Sequence, residues 1–321
     1  MKSFQYIIRL QRYEDKLYFC RMKKTLLLTL ALALPLLSYG QKIELVPFGD
    51  FENWTVRYII ESSIIGGETK IDYVIGPRDT IRKNAPYSYA KTIWGSSNAY
   101  AVVMGVTKVS CSVTPEKGPT GLCAKLENTM VSVKAAGLIS VNVLATGAIY
   151  WGKMLEPITS TNNPMSFMDW GIPFTKRPVA VIVDFKAYLP NTGKINKGNK
   201  EIAGYDPEQI MFILQNRSTD ADGKIHVTRV GTAVHRIEKS TDGWVKNFRI
   251  PIIYGDASKD KAFKSYMDLM PKKSAPIPEE GWGAPDTPVT HAYLSCSSGT
   301  QSDLSGAIGN TLWIDNVRLE Y

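Results

Sequence analysis

The chain has 321 residues, of which 44% are hydrophobic and 21% charged, and its formal net charge is +8. The first forty residues hold seven of the 38 basic and two of the 30 acidic residues, so the remaining segment has 31 basic and 28 acidic residues and a net charge of +3. This near balance, without a dense basic block, argues against a nucleic-acid-binding protein.

The N-terminal segment has the pattern of a secretory signal peptide. From Met22 it reads as two lysines, an apolar run over residues 25–37, and small residues before Gln41. The run is shorter than the about 20 residues that span a bilayer. We expect residues 1–40 to be removed after Gly40, with either Met1 or Met22 as the true start. Gln41 stands where a lipoprotein would have cysteine, so we expect an exported product that is periplasmic, at the cell surface or secreted.

The rest of the chain, residues 41–321, is dominated by strand patterns. Short β-rich runs such as "YAVVMGVTKVSC", "LISVNVLATGAIYWG", "IMFILQNR" and "TLWIDNVRLEY" alternate with segments rich in Gly, Pro, Asn and Asp. Such spacing predicts a single all-β domain, an antiparallel β-sandwich. One short helix is predicted over residues 259–270.

Three cysteines follow the predicted signal peptide, at Cys111, Cys123 and Cys296. Export permits a disulfide, and Cys111–Cys123 could close a hairpin. The odd number of cysteines equally fits three free or buried thiols.

The strand "VAVIVDFKAYLP" has one apolar and one polar face. Its odd-numbered positions, from 179 to 187, are apolar, whereas Asp184, Lys186 and Tyr188 lie on the other face. An aromatic ring beside charged groups suits sugar recognition, because the ring stacks on the C–H face of a pyranose while the polar groups bind its hydroxyls. An ordinary solvated strand face has the same pattern.

The two ends of the predicted domain, "GDFENW" (49–54) and "WIDNVRLEY" (313–321), resemble those of jelly-roll carbohydrate-binding modules and galactose-binding-like domains. That resemblance implies that the first and last strands lie side by side and that Asp50, Glu52 and Asp315 hold a structural Ca²⁺. Calcium prefers several oxygen ligands. The alternative is a hydrogen-bonded carboxylate cluster without a metal. Trp313 is expected on the core face of the last strand.

Further segments resemble the PCMD family, a carbohydrate metabolism domain of exported Bacteroidetes proteins. They are "WGSSNAY" (94–100), "WGIPFTKRPVAVIVDFKAYLP" (170–190), "YDPEQIMFIL" (205–214) and "SCSSGTQSDLSGAIGNTLWIDNVRLEY" (295–321). The family's adjacent Lys-Tyr pair is here Lys186-Ala187-Tyr188, and its Gly-Ser before the last strand is Gly309-Asn310. The resemblance implies a jelly-roll sandwich with a glycan-related role.

Four residues are predicted to contact the ligand: Trp94, Asn98, Lys186 and Tyr188. Trp151, Trp170, Trp244 and Trp282 flank Gly, Asp or Pro, which indicates loop positions that a ligand could reach. A glycosidase needs two carboxyl groups about 5–10 Å apart. The acids near the family-like segments, Asp169, Asp184, Asp206 and Glu208, match no catalytic signature, and neither do the three histidines.

We therefore predict an exported protein that binds a carbohydrate non-covalently and does not bind nucleic acid. A glycoside hydrolase is the first alternative, and a surface adhesion or assembly subunit with a protein partner is the second. The sequence leaves the glycan and the oligomeric state open.

Overall fold

Two antiparallel β-sheets form most of the molecule, whose structure is a computed structural model. It describes residues 42–135, 139–160, 164–190, 193–270, 278–301 and 303–321. The predicted signal peptide lies outside these residues. Ile43–Tyr321 form one compact unit.

The described strands are, in chain order, β1 (Ile43–Leu45), β2 (Trp54–Ile60), β3 (Thr69–Ile75), β4 (Asp79–Ile81), β5 (Trp94–Ser96), β6 (Ala99–Val103), β7 (Val106–Ser110), β8 (Val113–Gly118), β9 (Gly121–Glu127), β10 (Thr129–Ala135), β11 (Ile139–Ala145), β12 (Ala148–Met154), β13 (Met168–Trp170), β14 (Ile172–Pro173), β15 (Ala180–Tyr188), β16 (Lys194–Lys197), β17 (Lys200–Ala203), β18 (Glu208–Thr219), β19 (Ile225–Ile237), β20 (Val245–Pro251), β21 (Ile253–Tyr254), β22 (Gly281–Trp282), β23 (His291–Ser297), β24 (Ser305–Gly306) and β25 (Thr311–Glu320).

The first sheet has the strand order β20-β15-β25-β9-β8, and β1 also pairs with β25. The second sheet has the order β13-β12-β23-β18-β19-β21, with β5, β14 and β22 added on its edges and ends. The chain moves repeatedly between the two sheets, because β15, β20 and β25 belong to the first while β12, β18, β19 and β23 belong to the second. This alternation is typical of a jelly roll, and the all-β sandwich predicted from the sequence is confirmed.

The core lies between the two sheets. Alternate residues of each strand point inward, as the period of two requires. Inward side chains of the first sheet are Val181, Val183, Phe185, Leu312 and Ile314, and those of the second sheet are Ile210, Phe212, Leu214, Leu294 and Cys296. Burying each of the larger ones contributes about 1.5–3 kcal/mol. The apolar face predicted for β15 is therefore confirmed.

A β-bulge changes the alternation of the last strand. Leu312 and Ile314 face the core, but so do Val317 and Leu319, since the register against β15 shifts between Ile182 and Asp184. Asn316 takes up the extra residue with φ 51°, a conformation that asparagine tolerates. Trp313 consequently lies on the outer face of the first sheet, where the Lys186 Nζ atom is 3.8 Å from the ring centroid. The prediction that Trp313 lies on the core face of the last strand is therefore wrong.

The N-terminal segment runs beside the last strand, as the ends of the sequence indicated. β1 pairs with Arg318–Glu320 of β25. The Val46 N–H donates to the Val317 carbonyl, and the Val317 N–H donates to that of Gly49.

The predicted helix over residues 259–270 is wrong. The described helices are all short 3₁₀ turns, at Ser63–Ile65, Tyr89–Lys91, Pro164–Phe167, Ala257–Lys259 and Ser265–Met267. Within the predicted segment, the Asp260 side chain accepts a hydrogen bond from the Ala262 N–H, and Arg229 binds the carbonyls of Met267 and Asp268. These contacts occupy backbone groups that an α-helix would use. In the described part of the chain, no helix has the length and apolar character needed to cross a membrane.

Smaller sheets lie outside the sandwich: β3-β2-β4, β6-β7, β10-β11 and β17-β16-β24. The β3-β2-β4 sheet is fastened to the segment after β12 by a buried ionic cluster. Arg57 donates to Asp72 at 2.8 Å and to both carboxylate oxygens of Glu156 at 2.8 and 2.9 Å. Among the described cysteines, Cys111, Cys123 and Cys296 are all free thiols.

Candidate functional site

A cleft of about 760 Å³ lies on the outer face of the second sheet. Its floor consists of side chains that point away from the core. On β18, Ile210 and Phe212 face the core, whereas Gln209 and Met211, which alternate with them, line the cleft. The other floor residues are Tyr150 of β12, Val234 and Arg236 of β19, and Tyr293, Ser295 and Ser297 of β23.

Aromatic rings border the cleft on one side. The Trp170 and Tyr293 rings stack with their centroids 4.8 Å apart and an interplanar angle of 18°. Trp170 is only half-buried, and both residues line the cleft. Gly171 makes this arrangement possible, because its φ is 91° and a Cβ atom there would lie 2.5 Å from an Arg217 nitrogen. That arginine donates to the Trp170 carbonyl at 2.9 Å, which fixes the strand end that presents the indole.

The segment 265–270 forms another wall, with Tyr266, Leu269 and Met270 among its lining residues. A buried ion pair holds this segment. Arg229 donates to the carbonyls of Met267 at 2.7 Å and Asp268 at 3.0 Å, and it pairs with Glu279. Glu279 in turn accepts hydrogen bonds from Gln215 at 2.7 Å and from the Met270 N–H at 3.1 Å. An irregular wall is thus bound to a rigid sheet.

The polar groups of the cleft centre on Arg236. Its Nε atom donates to the Gln209 Oε1 atom at 3.2 Å, and its guanidinium lies 4.7 Å from the Tyr266 ring centroid. Burial lowers the pKa of Arg236 from its ordinary value. Ser295, Ser297 and Gln301 add further hydrogen-bonding groups to the lining.

Carboxylates are scarce in the cleft. Among the described residues, Asp268 is the only acidic side chain of the lining. The undescribed residues within the domain, 136–138, 161–163, 191–192, 271–277 and 302, contain no Asp or Glu. A pair of acids across the scissile bond, which glycosidases generally use, is therefore not found in the described lining.

The acids considered from the sequence have other surroundings. Asp169 is half-buried and forms an ion pair with Lys153 at 3.2 Å. Asp184 lies on the first sheet, where it accepts hydrogen bonds from the Asn247 N–H at 2.6 Å and from Arg318 at 3.0 Å.

Asp206 organises loops next to the cleft. Its carboxylate accepts hydrogen bonds from Asn128 at 3.0 Å, from the Thr300 N–H at 2.7 Å and from the Ala307 N–H at 3.0 Å. Burial raises its pKa against these hydrogen bonds. Glu208 is fully buried on the core side of β18, and neither of its carboxylate oxygens has a hydrogen-bond partner among the described residues. Burial, assisted by the charge of Asp206, raises the pKa of Glu208 to about 9.

Trp94 and Asn98, two of the predicted ligand contacts, are buried. Trp94 is 1% exposed, packs against Phe51 and Trp151, and donates its indole N–H to the Pro47 carbonyl at 2.7 Å. Asn98 is 3% exposed, and its amide joins the Tyr73 and Val113 backbones at 3.0 and 2.9 Å. Both side chains are thus engaged in packing and hydrogen bonding within the domain, and their contact with a ligand stays a prediction.

Lys186 and Tyr188, the other two predicted contacts, lie on the outer face of the first sheet, opposite the sheet that carries the cleft. Tyr188 is 51% exposed. Lys186 covers the Trp313 ring, whose indole N–H donates to Glu116 at 3.1 Å. The four predicted residues therefore do not form one site.

The predicted calcium ligands lie around the turn between β8 and β9. The Glu52 Oε1 atom accepts a hydrogen bond from the Leu122 N–H at 2.9 Å, and the Asp315 Oδ1 atom accepts one from the Asn316 N–H at 2.7 Å. The Asp315 Oδ2 atom is buried and has no hydrogen-bond partner in the described part of the chain. Burial, and then the charges of Asp184, Glu52 and Asp50, raise the pKa of Asp315 to about 7. Within the described residues, no three His, Cys, Asp or Glu side chains converge closely enough to hold a metal ion. The carboxylates thus do not form a ready ligand set, and calcium stays a prediction.

Of the tryptophans expected at accessible loops, Trp170 lines the cleft while Trp151 is buried in the core. Sequence reasoning missed Gln209, Arg236, Tyr266 and Tyr293. The alternation in "HVTRVGTAVHRIE" and "HAYLSCSS" could have separated the faces of β19 and β23, but it does not show which face is open.

The comparisons with known proteins agree with the family resemblance. Residues 68–320 match the family model PCMD, described as "Putative carbohydrate metabolism domain", and the chain belongs to this family. No curated protein matches the sequence.

Two solved structures that match this chain carry the description "putative glycoside hydrolase". The one from Bacteroides thetaiotaomicron has 21% identity, covers 83% of this chain and 71% of its own, and gives a TM-score of 0.48. The one from Bacteroides vulgatus has 15% identity, and the match covers 87% of this chain and 94% of that structure's chain, with a TM-score of 0.46. A CBM28 module described as specific for non-crystalline cellulose has 11% identity. That match covers 71% of this chain and 87% of the module's chain, with a TM-score of 0.27. At these identities and TM-scores, the likenesses carry no argument about function.

Proposed function

We propose that the protein binds a carbohydrate non-covalently in the cleft on the outer face of the second sheet. The observation that carries this proposal is the composition of the lining. Trp170 and Tyr266, both half-buried, provide aromatic surface, and the buried Tyr293 ring supports Trp170 by stacking on it. Gln209, Ser295 and Arg236 provide hydrogen-bonding groups on the same face. Membership of a carbohydrate metabolism family supports a sugar as the ligand.

A sugar ring matches such a lining because it has two kinds of surface. Its C–H faces pack on aromatic rings, and its hydroxyl groups exchange hydrogen bonds with amide, hydroxyl and guanidinium groups. The Trp170 indole is held in place by stacking on the buried Tyr293 ring, so little side-chain entropy is lost when it meets a ligand. Few such contacts give a Kd on the order of μM to mM.

Binding is favoured over hydrolysis, the first alternative, because Asp268 is the only carboxylate among the described lining residues. We also retain export from the cell as part of the proposal, since it rests on the sequence of residues 1–40.

The test is a glycan-array and polysaccharide-affinity screen of the purified protein, in which every retained glycan is also assayed for reducing-sugar release. Trp170→Ala should lower the affinity for a retained glycan at least tenfold. Tyr188→Ala is the matched control, because it removes an exposed aromatic ring from the first sheet and should bind as the wild type does. Loss of binding in Tyr188→Ala alone would move the site to the first sheet. Release of reducing sugar would establish an enzyme. Absence of binding to every glycan in the screen would favour a protein partner as the ligand.

A further inference from the structure

The cleft contains a guanidinium, that of Arg236, that no carboxylate of the described residues contacts. Among the described residues, Arg236 forms no ion pair. The carboxylates whose charges reach it are Glu238 and Asp206. Glu238 is exposed, and both Asp206 oxygens accept other hydrogen bonds, from Asn128, Thr300 and Ala307.

The partners of Arg236 orient its side chain without cancelling its charge. Gln209 accepts from the Nε atom through a neutral amide oxygen, and Tyr266 contacts the guanidinium with its ring. The Nε edge is therefore engaged, while the two terminal nitrogens have no hydrogen bond to any described residue. Such a fork donates two parallel hydrogen bonds to a planar or tetrahedral anion.

Arg229, the other arginine of the lining, shows what a structural guanidinium looks like in the same cleft. It is 1% exposed, pairs with Glu279 and donates to two backbone carbonyls. Its charge is compensated, and both of its terminal nitrogens donate hydrogen bonds. Arg236 has neither property, although it is half-buried on the same strand. An unpaired guanidinium held in place within a partly desolvated cleft is costly unless a ligand uses it.

We propose that the cleft selects a negatively charged sugar residue, whose carboxylate or sulfate group receives two hydrogen bonds from the terminal nitrogens of Arg236. This inference rests on the proposed function and specifies its ligand class. The nearby Tyr266 ring and Met211 side chain supply the apolar contact for the sugar ring. A uronic acid and a sulfate ester present the same recognition chemistry, and the experiment separates them.

The experiment compares two matched pairs of probes by calorimetry with the purified protein. The first pair is an oligogalacturonate and its fully methyl-esterified form, and the second is a sulfated galactan oligosaccharide and its desulfated form. The charged member of one pair should bind at least tenfold more tightly than its neutral counterpart, and that pair identifies the anionic group. Arg236→Gln should abolish the preference, and Arg236→Lys should restore only part of it, because lysine keeps the charge but not the fork.

Lys246→Gln is the control, since it removes one exposed positive charge from β20 of the first sheet and should leave the preference unchanged. Thermal unfolding of each variant checks folding. If Arg236→Gln does not fold, the salt dependence of the wild type decides, because affinity for the charged probe should fall with ionic strength while that for its neutral counterpart does not.

Equal binding of charged and neutral probes, with Arg236→Gln behaving as the wild type, would overturn this inference and leave the proposed function standing. Binding of neutral glycans in the screen with no binding of either charged probe would also overturn the inference and leave the proposed function standing. Absence of binding to any glycan would overturn both.

Discussion

Arg229 and Glu279 form an ion pair that is almost completely shielded from water, with side-chain exposures of 1% and 0%. The pair lies at the edge of the cleft and joins the irregular segment 265–270 to β18 and β19. Breaking a buried pair by removing one partner typically costs about 3–5 kcal/mol, because the remaining charge is left without compensation. The wall that carries Tyr266 should therefore depend on both residues.

We predict that Arg229→Met destabilises the protein by about 3–5 kcal/mol and weakens glycan binding. The double variant Arg229→Met/Glu279→Met should recover part of the lost stability, because no buried charge remains. It should not recover binding, since the Met267 and Asp268 carbonyls still lose their donor. Chemical denaturation measures the stability, and hydrogen exchange of residues 265–270 reports the wall. Protected amides in Arg229→Met would contradict this role.

The protonation of Glu208 leads to a second prediction. Its pKa is raised to about 9 in the folded protein by burial, above the ordinary value of 4.5. The stability that Glu208 contributes is therefore fully present below pH 4.5 and declines as the pH rises through 9, because the unfolded chain releases the proton first. By pH 7 the loss is on the order of 3 kcal/mol.

Glu208→Gln should remove this dependence. We expect the variant to be more stable than the wild type at pH 8 by about 1–3 kcal/mol and to differ less at pH 4. Urea denaturation at several pH values measures the difference. Glu238→Gln is the control, because Glu238 is an exposed acid near the end of the same hairpin. A wild type and Glu208→Gln with parallel pH profiles would show that the carboxyl group is not buried in solution.

How far the sequence predicts this molecule can be argued from β15 and β25. The alternation of β15 correctly placed Val181, Val183 and Phe185 in the core. The same reasoning failed for Trp313, because a bulge at Asn316 moves one residue of β25 out of phase. Bulges depend on the neighbouring strands, and Asp184 binds the bulged segments of both β20 and β25. A single strand's pattern does not contain that information.

The candidate site was harder to predict for a related reason. Its residues lie on β12, β13, β18, β19 and β23, which are far apart in sequence and adjacent only in the sheet. Trp94 and Asn98 drew attention because they occupy a recognisable turn, yet that turn is recognisable because its side chains pack and bond inside the domain. Arg236 and Gln209 have no local signature, since their pairing is made across the β18–β19 hairpin.

A third prediction concerns the cluster of Arg57, Asp72 and Glu156, where two buried carboxylates share one guanidinium. Burial is the main reason why the pKa of Asp72 is raised to about 6, against the attraction of Arg57. The stability contributed by Asp72 is present below pH 3.8 and is lost as the pH rises through 6. Asp72→Asn should therefore cost little at pH 7, because Arg57 and Glu156 remain as a neutral pair.

Arg57→Met should in contrast leave two buried carboxylates without a cation and cost about 3–5 kcal/mol. The penalty should be smaller at pH 5 than at pH 8, because protonation relieves the repulsion. Thermal unfolding of both variants at the two pH values measures the effect. Equal destabilisation by Asp72→Asn and Arg57→Met at pH 7 would mean that the two residues act only as a single pair.

The last prediction decides whether Asp315 binds calcium. Its raised pKa of about 7 reflects burial and the neighbouring charges of Asp184, Glu52 and Asp50, so without a cation its stability contribution is present below pH 3.8 and is lost as the pH rises through 7. In a chelator, Asp315→Asn should thus be more stable than the wild type at pH 8. A bound Ca²⁺ would reverse this order, because it stabilises the folded state by binding the ionised carboxylate.

The measurement is the melting temperature at pH 8 with a chelator, with Ca²⁺ and with Mg²⁺. If calcium binds here, Ca²⁺ should raise the melting temperature of the wild type and not that of Asp315→Asn. Asp286→Asn is the control, because it removes an exposed acid from another part of the molecule. If Ca²⁺ leaves the wild type unchanged while Asp315→Asn is the more stable protein, the three acids form a hydrogen-bonded cluster that is stabilised by protonation of Asp315, and the calcium expectation is wrong.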